Sequence, residues 1–355
     1  MDADRLCVAL RAHFPETAFH VTTSCQGAIL DQGVAMPAVA GLSVFAVVDP
    51  GGAYGTGVGS FAARSPEDAA DEALEQALMR AGRVGGSPAA LWVNACPGLE
   101  ERVVARLRET CGPDVPIVGG SAADDTIRGG WWVADGVQHG SQRVAVSALF
   151  PSVAVSTSFE HAYERTGVYG VVTASRGRYL LEVDGEGAAA WYNRATSGAI
   201  EAALGGGTVL AAAAFHPLGV ACEHGKGVEH VRPVHPERVV GRGLTLFAEV
   251  AQGSRVEVMR GSASSLVNHA NSAAAAGIAG LPGRRCSGAL VAYCAGCMLS
   301  VPGEQSALLR RFREGFGDAT WLCQFTFGEQ GAYVGVSPCH GNLMIATLAF
   351  GAAQP

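Results

Sequence analysis

Six apolar runs in the second half of the chain follow six in the first half, in the same order and with similar gaps. The first, SVFAVVD from Ser43, reads as a strand and leads into a glycine-rich segment, GGAYGTGVGSFAA. SPEDAADEALEQALMRAG then carries helix signals. Ser65 is the N-cap, Pro66 takes the first helical position, and Glu67 and Asp68 meet the positive end of the dipole. Ala70, Leu74 and Leu78 share a face, and Gly82 can end the helix. ALWVNAC is a buried strand ending at Cys96, LEERVVARLRET a helix, and VPIVGG the next strand. Connections this short predict a parallel pair with a right-handed crossover. RVAVSALF and SVAVSTSF predict a hairpin turning near Pro151. YGVVTASRGRYLLEVDG predicts a second, turning at Ser175-Arg176-Gly177, and GEGAAAWYNRAT starts another helix.

The plan then repeats at an offset of roughly 200 residues. SRVEVM answers SVFAVV, and ASSLVNHANSAAAAG answers the helix from Pro66. GALVAYCAG answers AALWVNACPG, and QSALLRRFREGFG the helix from Leu99. WLCQFTFGE answers VPIVGGS, and NLMIATLAF answers RVAVSALF. The expected fold class is α/β: two related α/β halves with mixed sheets and flanking helices, packed as a pseudo-duplicated assembly. Residues 1–200 and 201–355 are the expected domains.

Composition narrows the function. The chain is 48% hydrophobic and 16% charged, which describes a well-buried globular protein. Net charge is -7 with Lys226 the only lysine, and no basic cluster is interleaved with aromatics, so nucleic acid is not an expected partner. No apolar run reaches the ~18 residues of a membrane span. The N-terminus lacks a signal-peptide core and reads as a short amphipathic helix packing through Leu6, Val8, Leu10 and Phe14. A cytoplasmic location follows as the expectation. The ten cysteines then read as buried thiols, not a disulfide framework.

The candidate chemistry sits at strand ends, where ligands collect in α/β sheets. VPIVGGSAADD stops on Gly119 and Gly120, which permit close approach to peptide N–H groups, and Ser121 adds a hydroxyl. It is neither a P-loop nor a dinucleotide fingerprint, since no Gly-Lys-Ser/Thr and no GxGxxG occurs. The equivalent end in the second half is Gly328-Glu329. A further pair is Cys96-Pro97-Gly98 and Cys294-Ala295-Gly296-Cys297, and an early strand, AFHVTTSCQGAI, ends on Ser24, Cys25, Gln26 and Gly27. A pseudo-twofold would bring these ends to one pocket between the halves. Glu329, ending an apolar strand, is costly to bury unless a ligand amine or Arg165 pairs with it.

These segments, in this order, resemble the FIST family. The resemblance rests on TTSCQG, VGGSAADD, ERTGVYGVVTAS and LEVDGEGAAAWYN, then on HPLGV, VRPV with Arg232, YCAGC, FTFGE and HGNLMIATLAF. It runs from Ala18 to Phe350. It implies tandem FIST N-terminal and C-terminal domains and a sensory, ligand-binding role in signal transduction, with amino-acid-like ligands. FIST proteins are also linked to F-box proteins of ubiquitin pathways. One branch of the family binds haem through a histidine and senses nitric oxide. The chain carries no kinase, cyclase, methyl-accepting or F-box segment, so output would pass through a protein partner. Two departures stand out: Cys297 follows Cys-x-Gly where many members carry Arg, and Ser24 precedes Cys25.

The expected function is therefore binding of a small polar molecule in the cleft. Arg165 or Arg232 would grip a carboxylate and Glu329 an amine. Gly119, Gly120 and Ser121, with Ser24, Cys25, Cys294 and His340, would complete the site. A second reading is haem-based sensing, with His161 as axial ligand and His216 and His340 as weaker candidates. A third is a cysteine-dependent enzyme using Cys25 or Cys294 with Glu329. His20 is five residues before Cys25 on an extended strand, and His340 faces away from Cys339, so no local dyad stands out. Zinc at Cys294-x-x-Cys297 would need two more ligands from Cys286, Cys323 and Cys339. His216, His224, His230 and His235 fit no metal spacing and read as a solvated loop between the halves.

Overall fold

The computed structural model describes residues 2–38, 40–222 and 229–353. His224 and Lys226 lie outside the described residues. The core elements, in chain order, are β1 (Ala28–Leu30), β2 (Gly33–Ala35), β3 (Ala53–Ser60), α1 (Pro66–Arg80), β4 (Ala90–Ala95), α2 (Glu100–Cys111), β5 (Ile117–Ser121), β6 (Arg143–Phe150) and β7 (Val155–Glu160). After an inserted sheet come α3 (Ala263–Ile278), β8 (Cys286–Cys294), α4 (Ala295–Leu299), α5 (Gln305–Phe316), β9 (Thr320–Thr326), β10 (Glu329–Gly331), β11 (Cys339–Gly341) and β12 (Ile345–Gly351).

Two six-stranded sheets carry the duplication. One has the order β11-β10-β5-β4-β6-β3, the other β2-β1-β9-β8-β12-β7. In each the central pair, β4 with β5 or β8 with β9, is parallel, and the other pairings are antiparallel. Each sheet is completed from the far end of the chain. The β1–β2 hairpin extends the second sheet, and the β10–β11 hairpin extends the first. Alternation along the strands sorts side chains into four layers. Leu91, Val93 and Ala95 of β4 face the helices α1 and α2, while Ala90 and Trp92 face the other sheet. Ala289, Val291 and Tyr293 of β8 likewise face α3 and α5, and Ala292 turns inward. The molecule is thus mixed α/β, two related halves packed sheet to sheet with helices outside.

Residues 164–260 form a third body, an antiparallel sheet of nine strands among the described residues, with its own core around Trp191, Tyr192, Leu218, Leu244 and Val256. The strands Glu164–Arg176 and Tyr179–Val183 form the expected hairpin, turning one residue later than anticipated, at Gly177-Arg178, where Gly177 has φ +56°. Ser65 caps α1 by accepting from the Asp68 amide, and Ser262 caps α3 with a full capping box. No described helix is long and apolar enough to cross a membrane. All ten cysteines are free thiols.

Four expectations change. SVFAVVD forms no strand, and its place is taken by the glycine-rich segment that forms β3. The reason is helix packing. A Cβ on Gly55, Gly57 or Gly59 would stand 2.1, 2.1 or 1.8 Å from the carbonyl oxygens of Ala77, Ala73 and Ala69, so glycine lets α1 lie directly on the strand. Phe45 instead packs on Phe350 at the mouth between the sheets, ring centroids 6.3 Å apart. RVAVSALF and SVAVSTSF are not a hairpin: the chain crosses at Pro151 from one sheet to the other, so β6 pairs with β3 and β4 while β7 pairs with β12. SRVEVM belongs to the inserted sheet, and the partner of β3 in the duplication is β7. In the N-terminal helix, Ala3–His13, the buried residue is Cys7, while Val8 and Phe14 are exposed.

Candidate functional site

The Gly-Gly-Ser end of β5 and the Gly-Glu turn before β10 are neighbours. Gly120 pairs with Glu329 and Gly119 with Gln330. The Ser121 amide donates to the Gly328 carbonyl at 2.8 Å, and the Phe327 amide donates to the Ser121 carbonyl at 3.1 Å. Glycine is needed here for close approach: a Cβ on Gly119 would sit 1.8 Å from the Val93 carbonyl oxygen, and one on Gly120 would sit 2.5 Å from the Thr326 methyl. Glu329 is fully buried. Its two oxygens accept from the Thr326 hydroxyl at 2.7 Å and the Met344 amide at 3.0 Å. Burial, then the neighbouring Cys294, pushes its carboxyl well above the ordinary range.

Behind this ladder lies a buried polar chain. The Ser121 hydroxyl donates to Glu100 at 2.7 Å, and the Gln330 amide nitrogen donates to Ser121 and to His340 Nδ1, each at 3.2 Å. His340 Nε2 completes the chain on the Phe247 carbonyl at 3.3 Å. Arg178, on the turn of the inserted hairpin, reaches in to Glu100 at 2.6 Å and Glu101 at 2.7 Å. Glu100 also accepts from the Gly98 amide at 2.8 Å, so this end of β4 is filled by its own charges.

On the other side of Phe247 and Gly328 the molecule is hollow. A cavity of about 380 Å³ opens where the two six-stranded sheets meet the inserted body. Its apolar wall includes Ile127, Leu210, Phe215, Phe247, Leu299 and Phe327. Cys294, Gly296 and Ser300, at the end of β8 and along α4, line it together with His235, Gly328 and Asn342. Among the described residues, no Asp, Glu, Lys or Arg lines it. The Ser300 hydroxyl is spent on the Gly296 carbonyl at 2.7 Å.

Two side chains reach the cavity with an unpaired polar atom. His235 is 5% exposed, and its Nε2 contacts the Leu210 carbonyl at 3.0 Å. A carbonyl only accepts, so Nε2 carries the proton and Nδ1 keeps a free lone pair. Burial pushes this imidazole down to about 4, so it is neutral at physiological pH. A Cβ placed on Gly296 would be 3.4 Å from His235 Nδ1 and 3.5 Å from Cys294 Sγ, which puts both at the same corner. Asn342 is 2% exposed, and its Oδ1 accepts from the His235 amide at 3.1 Å. That contact fixes the orientation of the amide and leaves the Nδ2 donor free, beside Gly328.

Family models match in tandem: the FIST N domain over residues 1–186 and the FIST C domain over residues 188–332. The chain belongs to the FIST family. A comparison with curated proteins gave no match.

Of the residues expected at the FIST site, Cys294 lines the cavity, while Gly119, Gly120, Ser121, Glu329 and His340 lie in the ladder and chain directly behind it. Ser24 stitches the entry of β1 to β9, accepting from the Phe325 amide at 2.8 Å. Cys25 is buried beside it, its thiol pushed up to about 12 by burial and by Asp125 and Asp124. Burial also raises Cys294, and neither thiol is hydrogen-bonded to a histidine. Arg165 stands in the inserted sheet, paired with Glu257 and Glu229 at 2.8 Å, and not with Glu329. Arg232 donates to the main-chain carbonyls of His340 and Glu249. Neither arginine lines the cavity. His161 is also outside the lining. Its Nδ1 accepts from the Tyr163 amide, and burial pushes it down to about 4. Among the described residues, no three His, Cys, Asp or Glu side chains gather as a metal site.

The residues missed from sequence are His235, Asn342 and Phe247. The histidine-rich sequence around His235 suggests a solvated loop, yet His235 follows the buried strand Val231–Val234 and is itself buried. The one local signal was Asn342 in the HGN segment before the last strand.

Proposed function

We propose that this FIST protein is a small-molecule receptor whose ligand occupies the cavity at the junction of the two sheets and the inserted body. Its occupancy would be read by a protein partner. The observation that carries the reading is an uncharged apolar cavity with two buried polar side chains, His235 and Asn342, each turning one unpaired atom into it. Its volume is within the range of small-molecule sites, roughly 300–1,000 Å³. Neither atom is spent on a protein partner or sealed off from the cavity, so each is open to a molecule that enters it.

This shifts the expected ligand from an amino-acid-like zwitterion to a molecule with an apolar body, because the charged groups proposed to grip it, Arg165 and Glu329, are engaged elsewhere. The raised thiols of Cys25 and Cys294, without a histidine partner, favour binding over cysteine catalysis. Methyl-labelled NMR against a fragment library tests the reading. Fragments that bind should shift the methyls of Ile127, Leu210 and Leu299. A library that leaves all three unmoved contradicts it.

A further inference from the structure

We infer that the ligand is neutral and that its polar group both donates and accepts a hydrogen bond, as a carboxamide does, with His235 Nδ1 accepting from its N–H and Asn342 Nδ2 donating to its oxygen. This deepens the receptor reading and rests on it.

The geometry sets both roles. Leu210 holds the Nε2–H tautomer of His235, so the atom left at the cavity corner can only accept. The main-chain amide of His235 holds the oxygen of Asn342, so the atom left there can only donate. The two residues are thus coupled: the one that offers the donor is oriented by the backbone of the one that offers the acceptor. With no ionised side chain among the described lining residues, an ionised head group would be buried against apolar walls with no counter-charge from them, and that cost is several-fold larger than for a neutral amide. A molecule with only an acceptor satisfies Asn342 and leaves His235 unpaired. A site built to bond a polar group rejects analogues lacking it, because its own buried atoms are then stranded.

The remaining lining supports an apolar body extending from this pole. Phe215, Phe247, Leu299 and Phe327 face the space beyond it. Gly296 keeps the pole open, since a methyl there would cover His235 Nδ1 at 3.4 Å and press on Leu343 at 2.9 Å.

Isothermal titration with four probes of one skeleton tests the assignment: 3-phenylpropanamide, 4-phenylbutan-2-one, 3-phenylpropanoate and 3-phenylpropan-1-amine. The amide should bind at least about ten-fold more tightly than the ketone and than either ion. Gly296→Ala should weaken the amide about ten-fold or more while the chain still unfolds cooperatively, at a melting temperature lowered by the methyl's contact with Leu343. Asn342→Asp keeps an acceptor for the His235 amide but removes the donor, and should also lose the amide. A ketone equal to the amide would overturn the inference, as would tighter binding of the carboxylate or ammonium, and each would leave the receptor reading standing. Failure of all four probes at millimolar concentration would overturn the receptor reading with it.

Discussion

The corners that end β4 and β8 are equivalent in the duplication and opposite in content. Past β4 the chain runs Cys96-Pro97-Gly98, and four residues after the cysteine stands Glu100, whose carboxylate takes the Gly98 amide, the Ser121 hydroxyl and Arg178. Past β8 it runs Cys294-Ala295-Gly296, and four residues after the cysteine stands Met298, a buried thioether with no charge to anchor. The first corner is sealed by its own charged groups. The second is left hollow, with His235 Nδ1 and Asn342 Nδ2 beside it, each without a protein partner among the described residues. A duplicated strand end thus becomes a brace where buried charges fill the corner, and a candidate binding site where they do not.

The contrast breaks most easily at the sealed corner. Arg178→Met leaves the fully buried Glu100 without its cation and should cost about 3–5 kcal/mol in chemical denaturation, whereas adding Glu100→Gln should recover most of the loss. Next are the strand registers. Gly119 opposite Val93 and Cys323 opposite Val291 hold equivalent places, but only the first has a carbonyl within 1.8 Å of a would-be Cβ. Gly119→Ala should therefore cost about 1–3 kcal/mol or more through overpacking. Cys323→Ala should cost about 1 kcal/mol, for one lost buried atom.

Acid should act on both halves. His20, bonded to Asn94 and Ser147 in the first sheet, and His235 at the cavity are each lowered to about 4, chiefly by burial. The unfolded chain then binds more protons than the folded one between about pH 6.5 and 4, so stability falls as pH falls through that window, by at most about 3 kcal/mol per histidine. Denaturation midpoints measured across that range check the sign. The smallest effects are at the paired helix caps: Ser65→Ala and Ser262→Ala should each cost about 1 kcal/mol.

Much of the duplication was legible because amphipathic helices and buried strands write their period locally. The helix from Pro66, the strands ending at Cys96 and Cys294, and the strand ending in Gly-Gly-Ser all hold their places. The exchange of hairpins was not legible, since pairing Ala28 with Gln324 spans nearly the whole chain and leaves no local trace. Nor was β3, whose glycines argue against a strand until the helix lying on them is seen. At the site, Cys294 and the adjoining Gly328-Glu329 turn were within reach of sequence. His235 was not, because a histidine among histidines gives no sign of which one a later strand will bury.

The central claim is that the two corners differ in kind, one structural and one receptive. Hydrogen–deuterium exchange with and without 3-phenylpropanamide tests it most directly. The account predicts added protection in peptides spanning 210–215, 294–300 and 327–342, with little change at 96–101 and 176–178. Protection concentrated at 96–101 and 176–178, with the other three peptides unchanged, would contradict it.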